Sequence, residues 1–176
     1  MPVPSAEAQL PEFEELFHAH FGRIYRYLDR LTGEPELAAD LAQETFIRLY
    51  RRGALPDAPG AWLISVAMNL LRNAKSTERR RRRLLTPARG EHIHSDPPPS
   101  PDEANEQAGA EERGRVRRAL DRMPERERGM LLLRAEGFSY RDIATALEVN
   151  EASVGVLLAR AKRAFRELYE DNLDAH

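Results

Sequence analysis

The sequence predicts an all-α protein. Two small helical domains are expected at residues 10–85 and 113–170, the second with a helix-turn-helix. A flexible, acidic, Pro-rich linker at 86–112 is expected to join them. Three observations carry this expectation. Apolar residues recur at helical spacing on both sides of the linker. Pro97-Pro98-Pro99-Ser100-Pro101 cannot continue a helix, and its flanks hold almost no apolar residues. Between Ser139 and Leu168 a short helical pattern, a break and a longer pattern follow one another.

The first domain reads as three helices. Phe13, Leu16, Phe17, Phe21, Ile24, Leu28 and Leu31 form the stripe of the first, which Thr32-Gly33 ends. Pro35 begins the second, where its missing N–H is of little consequence. Leu37, Ala38, Leu41, Ala42, Thr45 and Leu49 line that helix. The loop 53–60 is rich in Gly and Pro. Trp62, Leu63, Val66, Ala67 and Leu70 are expected inside on the third helix. Its opposite side carries Ser65, Asn69, Arg72 and Ser76 in one polar row, with Asn73 at the edge. That row runs into Arg79-Arg80-Arg81-Arg82-Arg83, which calls for a polyanion or open solvent.

In the second domain Met123-Pro124-Glu125 opens a supporting helix. Ser139 is a natural N-cap, and Ile143, Ala144 and Leu147 share one face of the short helix it starts. Val149-Asn150 supplies the break, and Asn150 can cap the helix that follows. Val154, Leu157, Leu158, Ala161, Phe165 and Leu168 then recur to about Tyr169. This arrangement, with an outward basic cluster, makes DNA the leading ligand; an αα-hairpin that merely packs is the plain alternative.

Net charge is −2, unusual for a DNA-binding chain. It is unevenly distributed. Residues 1–85 and 113–176 each carry 13 Lys+Arg against 11 Asp+Glu, whereas 86–112 carries Arg89 against seven acids. Two mildly basic parts thus flank an acidic segment. The chain has no cysteine, so disulfides and thiolate metal or redox sites are excluded within it. His92-Ile93-His94 has no third ligand nearby and reads as two solvated histidines, so no metal and no cofactor is expected. No apolar run approaches the ~20 residues of a membrane span. Met1–Leu10 lacks the features of a secretory signal, and a cytoplasmic place is expected. No phosphate-cradling glycine loop or clustered His/carboxylate site suggests an enzyme or a small-molecule substrate.

The ordered set of motifs resembles the bacterial sigma factors of the sigma-70 family, extracytoplasmic-function type. Asp40–Tyr50 resembles that family's core-polymerase-binding helix, and Ala61–Leu70 its promoter-melting helix. Leu120–Arg128 with the helix-turn-helix resembles its domain for the minus-thirty-five element. The resemblance implies a protein that binds core RNA polymerase, directs it to promoter DNA and melts the minus-ten element, with an anti-sigma regulator as a further partner. It assigns polymerase binding to Asp40, Leu41, Gln43, Glu44 and Arg48. Minus-ten DNA falls to Ser65, Asn69, Arg72, Asn73, Arg79, Arg80 and Arg82, with loop 53–60 shaping a pocket for a flipped base. Minus-thirty-five DNA falls to Tyr140, Arg141, Ala152, Gly155, Val156, Arg160, Arg163 and Arg166. The linker is expected to thread the polymerase's basic RNA-exit path, or to be a passive tether.

The recognition helix departs from the family pattern. Ala152, Gly155, Val156 and Ala159 replace the usual basic and hydroxyl side chains of its first exposed turns. Such groups touch thymine methyls but make no bidentate base contact. Backbone contacts and DNA shape, or a protein partner, are the alternatives for this surface. A helix-turn-helix regulator that works without polymerase is the competing function; it leaves Asp40, Gln43, Glu44 and the Asn69 row unexplained.

Overall fold

A computed structural model describes residues 6–84 and 103–174. These residues form seven helices: α1 (Ala6–Thr32), α2 (Pro35–Arg52), α3 (Pro59–Leu84), α4 (Glu103–Arg122), α5 (Glu125–Ala135), α6 (Tyr140–Leu147) and α7 (Glu151–Asp174). The sequence signals account for most of the boundaries. Gly33 takes φ +71 after α1, and Pro35 is the first residue of α2. Gly53 closes α2 at φ +69 with its N–H on the Tyr50 carbonyl. Only a residue without Cβ adopts that left-handed conformation readily.

The helix-turn-helix caps form as its sequence indicates. Ser139 accepts from the Asp142 N–H at 3.1 Å, while the Asp142 carboxylate accepts from the Ser139 N–H at 3.0 Å. This reciprocal capping box satisfies two donors at the start of α6. Asn150 Oδ1 accepts from the Ala152 N–H at 2.9 Å and caps α7. Ser139→Ala removes one half of the box, and chemical denaturation should register a loss of about 1 kcal/mol. An unchanged midpoint would mean that α6 does not depend on its cap.

The expected linker is corrected at its C-terminal end. Glu103–Glu112 are the first turns of α4, so helix begins about ten residues before position 113. Ala104, Glu106, Gln107 and Ala108 are good helix formers, and this propensity outweighs the low apolar content that suggested linker. Residues 85–102, with the proline run and His92-Ile93-His94, lie outside the described residues.

The two helical units share one core. Ile24, Tyr27, Leu28, Phe46, Leu63, Ile64 and Leu71 from the first belong to the same buried cluster as Met130, Leu133, Phe138, Ile143, Val154 and Leu158 from the second. α6 packs along α3, and α5 against α1. The sequence stripe on α3 accounts for Leu63, Ala67 and Leu70, but Ile64, Met68 and Leu71 are buried as well. They belong to a second row that runs from Gly60 to Lys75 at helical spacing. Asp142 lies beside Gly60, Glu148 reaches Arg72 at 3.7 Å and Glu125 reaches Lys75 at 2.6 Å, so α5 and α6 cover this row.

Candidate nucleic-acid interface

The outer face of α2 presents a polar group over a buried base. Asp40, Gln43 and Arg48 are exposed and Glu44 is partly so. Arg48 Nε holds Glu44 Oε1 at 2.9 Å, an i,i+4 pair within the helix. Leu41, which the sequence placed with this group, is 7% exposed and belongs to the core. Its role is to seat α2 rather than to reach a partner, because its position falls on the apolar stripe. Thr45 is also inside, its hydroxyl donating to the Leu41 carbonyl at 2.7 Å.

On α3 the expected row is present in part. Asn69, Arg72, Asn73 and Ser76 are exposed, while Ser65 is half-buried with its hydroxyl donated to the Ala61 carbonyl at 2.8 Å. Arg72 donates to Asn69 Oδ1 at 2.9 Å and lies 3.7 Å from Glu148 at the end of α6. One guanidinium thus joins Asn69 on α3 to the end of α6 in the helix-turn-helix. Glu148 has φ 54, the one non-Gly residue in the left-handed region among the described residues. Helix α3 continues through the arginine run to Leu84. Arg80 is exposed, and the side chains of Arg79 and Arg82 lie outside the described residues.

On the helix-turn-helix, Ala152, Val156, Ala159, Arg160, Arg163 and Arg166 face solvent, Val156 at 66%. Arg141 is also exposed. Tyr140 stands at the start of α6 under the Arg134 guanidinium, 5.6 Å from the ring centroid. A Cβ on Gly155 would meet the Tyr140 ring at 3.7 Å, an ordinary contact, so Gly155 lies at the edge of this aromatic platform.

A cluster between the two units escaped sequence reasoning. Glu136, just after α5, has a side chain only 4% exposed. Arg26 Nε donates to its Oε2 at 2.9 Å, Arg30 Nη1 to its Oε1 at 2.7 Å, and Arg23 Nε to its main-chain carbonyl at 2.7 Å. Phe138 is fully buried, with the Arg23 guanidinium 4.2 Å from its ring centroid and the His20 ring stacked at 6.4 Å. Burial, then the positive charge of Arg23, lowers the His20 pKa, with Asp142 opposing. Tyr27 is buried with its hydroxyl donated to Met68 Sδ at 3.0 Å, and burial, then Glu125, pushes its pKa well up. The available signal was Arg23, Arg26 and Arg30 at helical spacing on α1, which alone resembles any solvated basic face.

Among the described residues, no group of three or more His, Asp or Glu side chains is placed to hold a metal ion, and no helix is long and apolar enough to cross a membrane.

Residues 16–81 match the family model described as Sigma-70 region 2, and 113–165 match Sigma-70, region 4. The chain is 30% identical over 165 residues to the ECF RNA polymerase sigma factor SigE of Mycolicibacterium smegmatis, covering 92% of this chain and 63% of that protein. It is also 30% identical over 168 residues to the ECF RNA polymerase sigma factor SigL of Mycobacterium tuberculosis, covering 92% and 91%. In fold it is similar to CnrH, solved in complex with the cytosolic domain of CnrY, at TM-score 0.65 and 18% identity over 94% of this chain and 92% of that one. It is likewise similar to RpoE of Bartonella quintana, solved with the anti-sigma factor NepR, at TM-score 0.60 and 20% identity over 90% and 97%. Both regions occur here in order on two helical units, and the SigL match spans nearly all of both chains; the protein belongs to the ECF RNA polymerase sigma factors of the sigma-70 family.

Proposed function

We infer that this chain binds core RNA polymerase, directs it to specific promoters and melts the minus-ten element to start transcription. The single observation that carries this reading is the ordered pair of sigma-70 regions, each with its polar face at the surface. Asp40, Gln43, Glu44 and Arg48 on α2 engage a basic surface of the polymerase. Asn69 on α3, with Arg72 and Asn73, receives a base that leaves the duplex. Extruding a base costs a few kcal/mol of stacking, and a pocket of α3 and loop 53–60 holding that base offsets the loss without ATP. Arg79, Arg80 and Arg82 attract the nearby backbone.

The helix-turn-helix takes the minus-thirty-five element. Ala152, Gly155, Val156 and Ala159 permit close approach and methyl contacts, so shape carries much of the readout. Arg160, Arg163 and Arg166 hold phosphates, while Tyr140 and Arg141 orient the motif. The chain acts in the cytoplasm as a non-enzymatic subunit, and an anti-sigma protein restrains it, as NepR is found bound to the Bartonella RpoE. Run-off transcription with and without core polymerase tests the reading. A promoter-specific transcript that requires both components supports it. Tight, specific duplex binding by the free chain with no effect on polymerase would instead favour a polymerase-independent regulator.

Asn69→Ala should lower open-complex formation at least about tenfold while leaving initial promoter binding within about twofold, since Asn69 meets a base exposed only on melting. Arg80→Ala should weaken both steps and reduce the salt dependence of binding. Permanganate reactivity of thymines near the start site separates the two. Equal loss in the closed complex for both variants argues against this division.

A further inference from the structure

Three large hydrophobic side chains are exposed among the described residues, and two of them, Tyr140 at 44% and Val156 at 66%, belong to the helix-turn-helix. We propose that Tyr140 and Val156, beside Gly155, form a direct-readout site for the 5-methyl group of one thymine in the major groove of the minus-thirty-five element. The proposal rests on the assignment of the helix-turn-helix to that element and names the chemical group it reads.

The tyrosine ring is held between two helices. From α5, the Arg134 guanidinium lies 5.6 Å from the ring centroid and donates to the Phe138 carbonyl at 3.3 Å, which fixes it in place. From α7, Gly155 brings bare backbone to the ring, since a Cβ there would lie 3.7 Å from Cε2. A longer side chain at 155 would compete with a ligand for that ring edge. Glycine weakens a helix interior, so its place here suits a surface that stays open. Val156 is the next residue and faces solvent.

The surrounding charge identifies the occupant. In a helix-turn-helix the N-terminal residues of the second helix meet base edges. Val156 lies in the second turn of α7, and the exposed Arg163 follows it on the same face by about 10 Å. That is close to the width of the major groove, about 12 Å, so Val156 reaches bases while Arg163 reaches phosphates beyond them. An apolar peptide would leave Arg160, Arg163 and Arg166 unused. Within the groove the thymine methyl is the apolar group on offer. Covering it with Val156 and the ring face removes apolar surface from water. A cytosine amino group or a guanine carbonyl at the same place would lose water and gain no partner from them.

Deoxyuridine tests this directly, because it lacks only the methyl and keeps every hydrogen-bonding group of thymine. A duplex library randomised over both promoter elements, transcribed by the holoenzyme, supplies the promoter. Each thymine of its minus-thirty-five element, on either strand, is then replaced in turn by deoxyuridine, and the duplex competes with the unmodified one. Transcription should fall about three- to tenfold at one position and less than about 1.5-fold at the others. At that position 5-methylcytosine should be used better than cytosine. Val156→Ala and Tyr140→Ala should each bring the thymine-to-uracil ratio towards one. Arg163→Ala should weaken both duplexes alike and leave the ratio unchanged. Each readout is a ratio between two duplexes, so a partly unfolded variant does not mimic the effect. A selected element without thymine, equal use of thymine and deoxyuridine at every position, or a ratio unchanged by Val156→Ala or by Tyr140→Ala would overturn the methyl site and leave the sigma-factor reading standing. A chain that gives no promoter-specific transcript with core polymerase would overturn both.

Discussion

Replacing Asp40 and Glu44 together by alanine should abolish promoter-specific transcription while leaving the fold within about 0.5 kcal/mol of the wild type. Asp40 is exposed and Glu44 partly so, while the buried residues beneath them, Leu41, Ala42 and Thr45, are untouched. The internal loss is the Glu44–Arg48 pair, an exposed i,i+4 contact of about 0.3–0.5 kcal/mol. The external loss is larger on the proposed function, because two carboxylates would leave the one face proposed to engage a basic polymerase surface. Pull-down of core polymerase, beside a urea unfolding curve, measures both quantities. A folded double variant with wild-type affinity would remove α2 from the polymerase interface.

Phe138→Ala should destabilise the protein by about 3–5 kcal/mol, the range for deleting a fully buried aromatic ring. The ring is completely enclosed and carries the Arg23 guanidinium over its face, so truncation removes both area and a cation–π contact. Against a total stability of about 5–15 kcal/mol for a chain of this kind, that is a large fraction. Urea denaturation followed by circular dichroism gives the value. A loss below about 1 kcal/mol would mean that Phe138 is not enclosed in solution, and that the shared core is absent.

The existence of six of the seven helices, all but α4, and most of their ends were legible in the residues. Gly33, Pro35, Gly53, Ser139 and Asn150 act through their own backbone preferences or through bonds to neighbours two to four residues away. Such signals survive without knowledge of the fold. The polar faces were legible for the same reason: Asp40, Gln43, Asn69 and Arg160 fall off stripes whose period is visible in sequence. Leu41 marks the limit of the family resemblance, since a motif position need not face outward. The start of α4 marks the limit of composition, since Glu103–Glu112 has the content of a linker and the propensity of a helix.

The sequence by itself determined every helix but α4, the helix-turn-helix and the family, because those depend on local periodicity, capping and an ordered set of motifs. The tertiary structure alone decided that the two units share a core and that Glu136 is the buried partner of Arg26 and Arg30. Ile64, Met68 and Leu71 could have met solvent, polymerase or another helix; period cannot choose among them. Arg26 and Glu136 lie 110 residues apart in the chain. No local preference couples residues at that separation, so their pairing depends on the burial of both units' apolar surface.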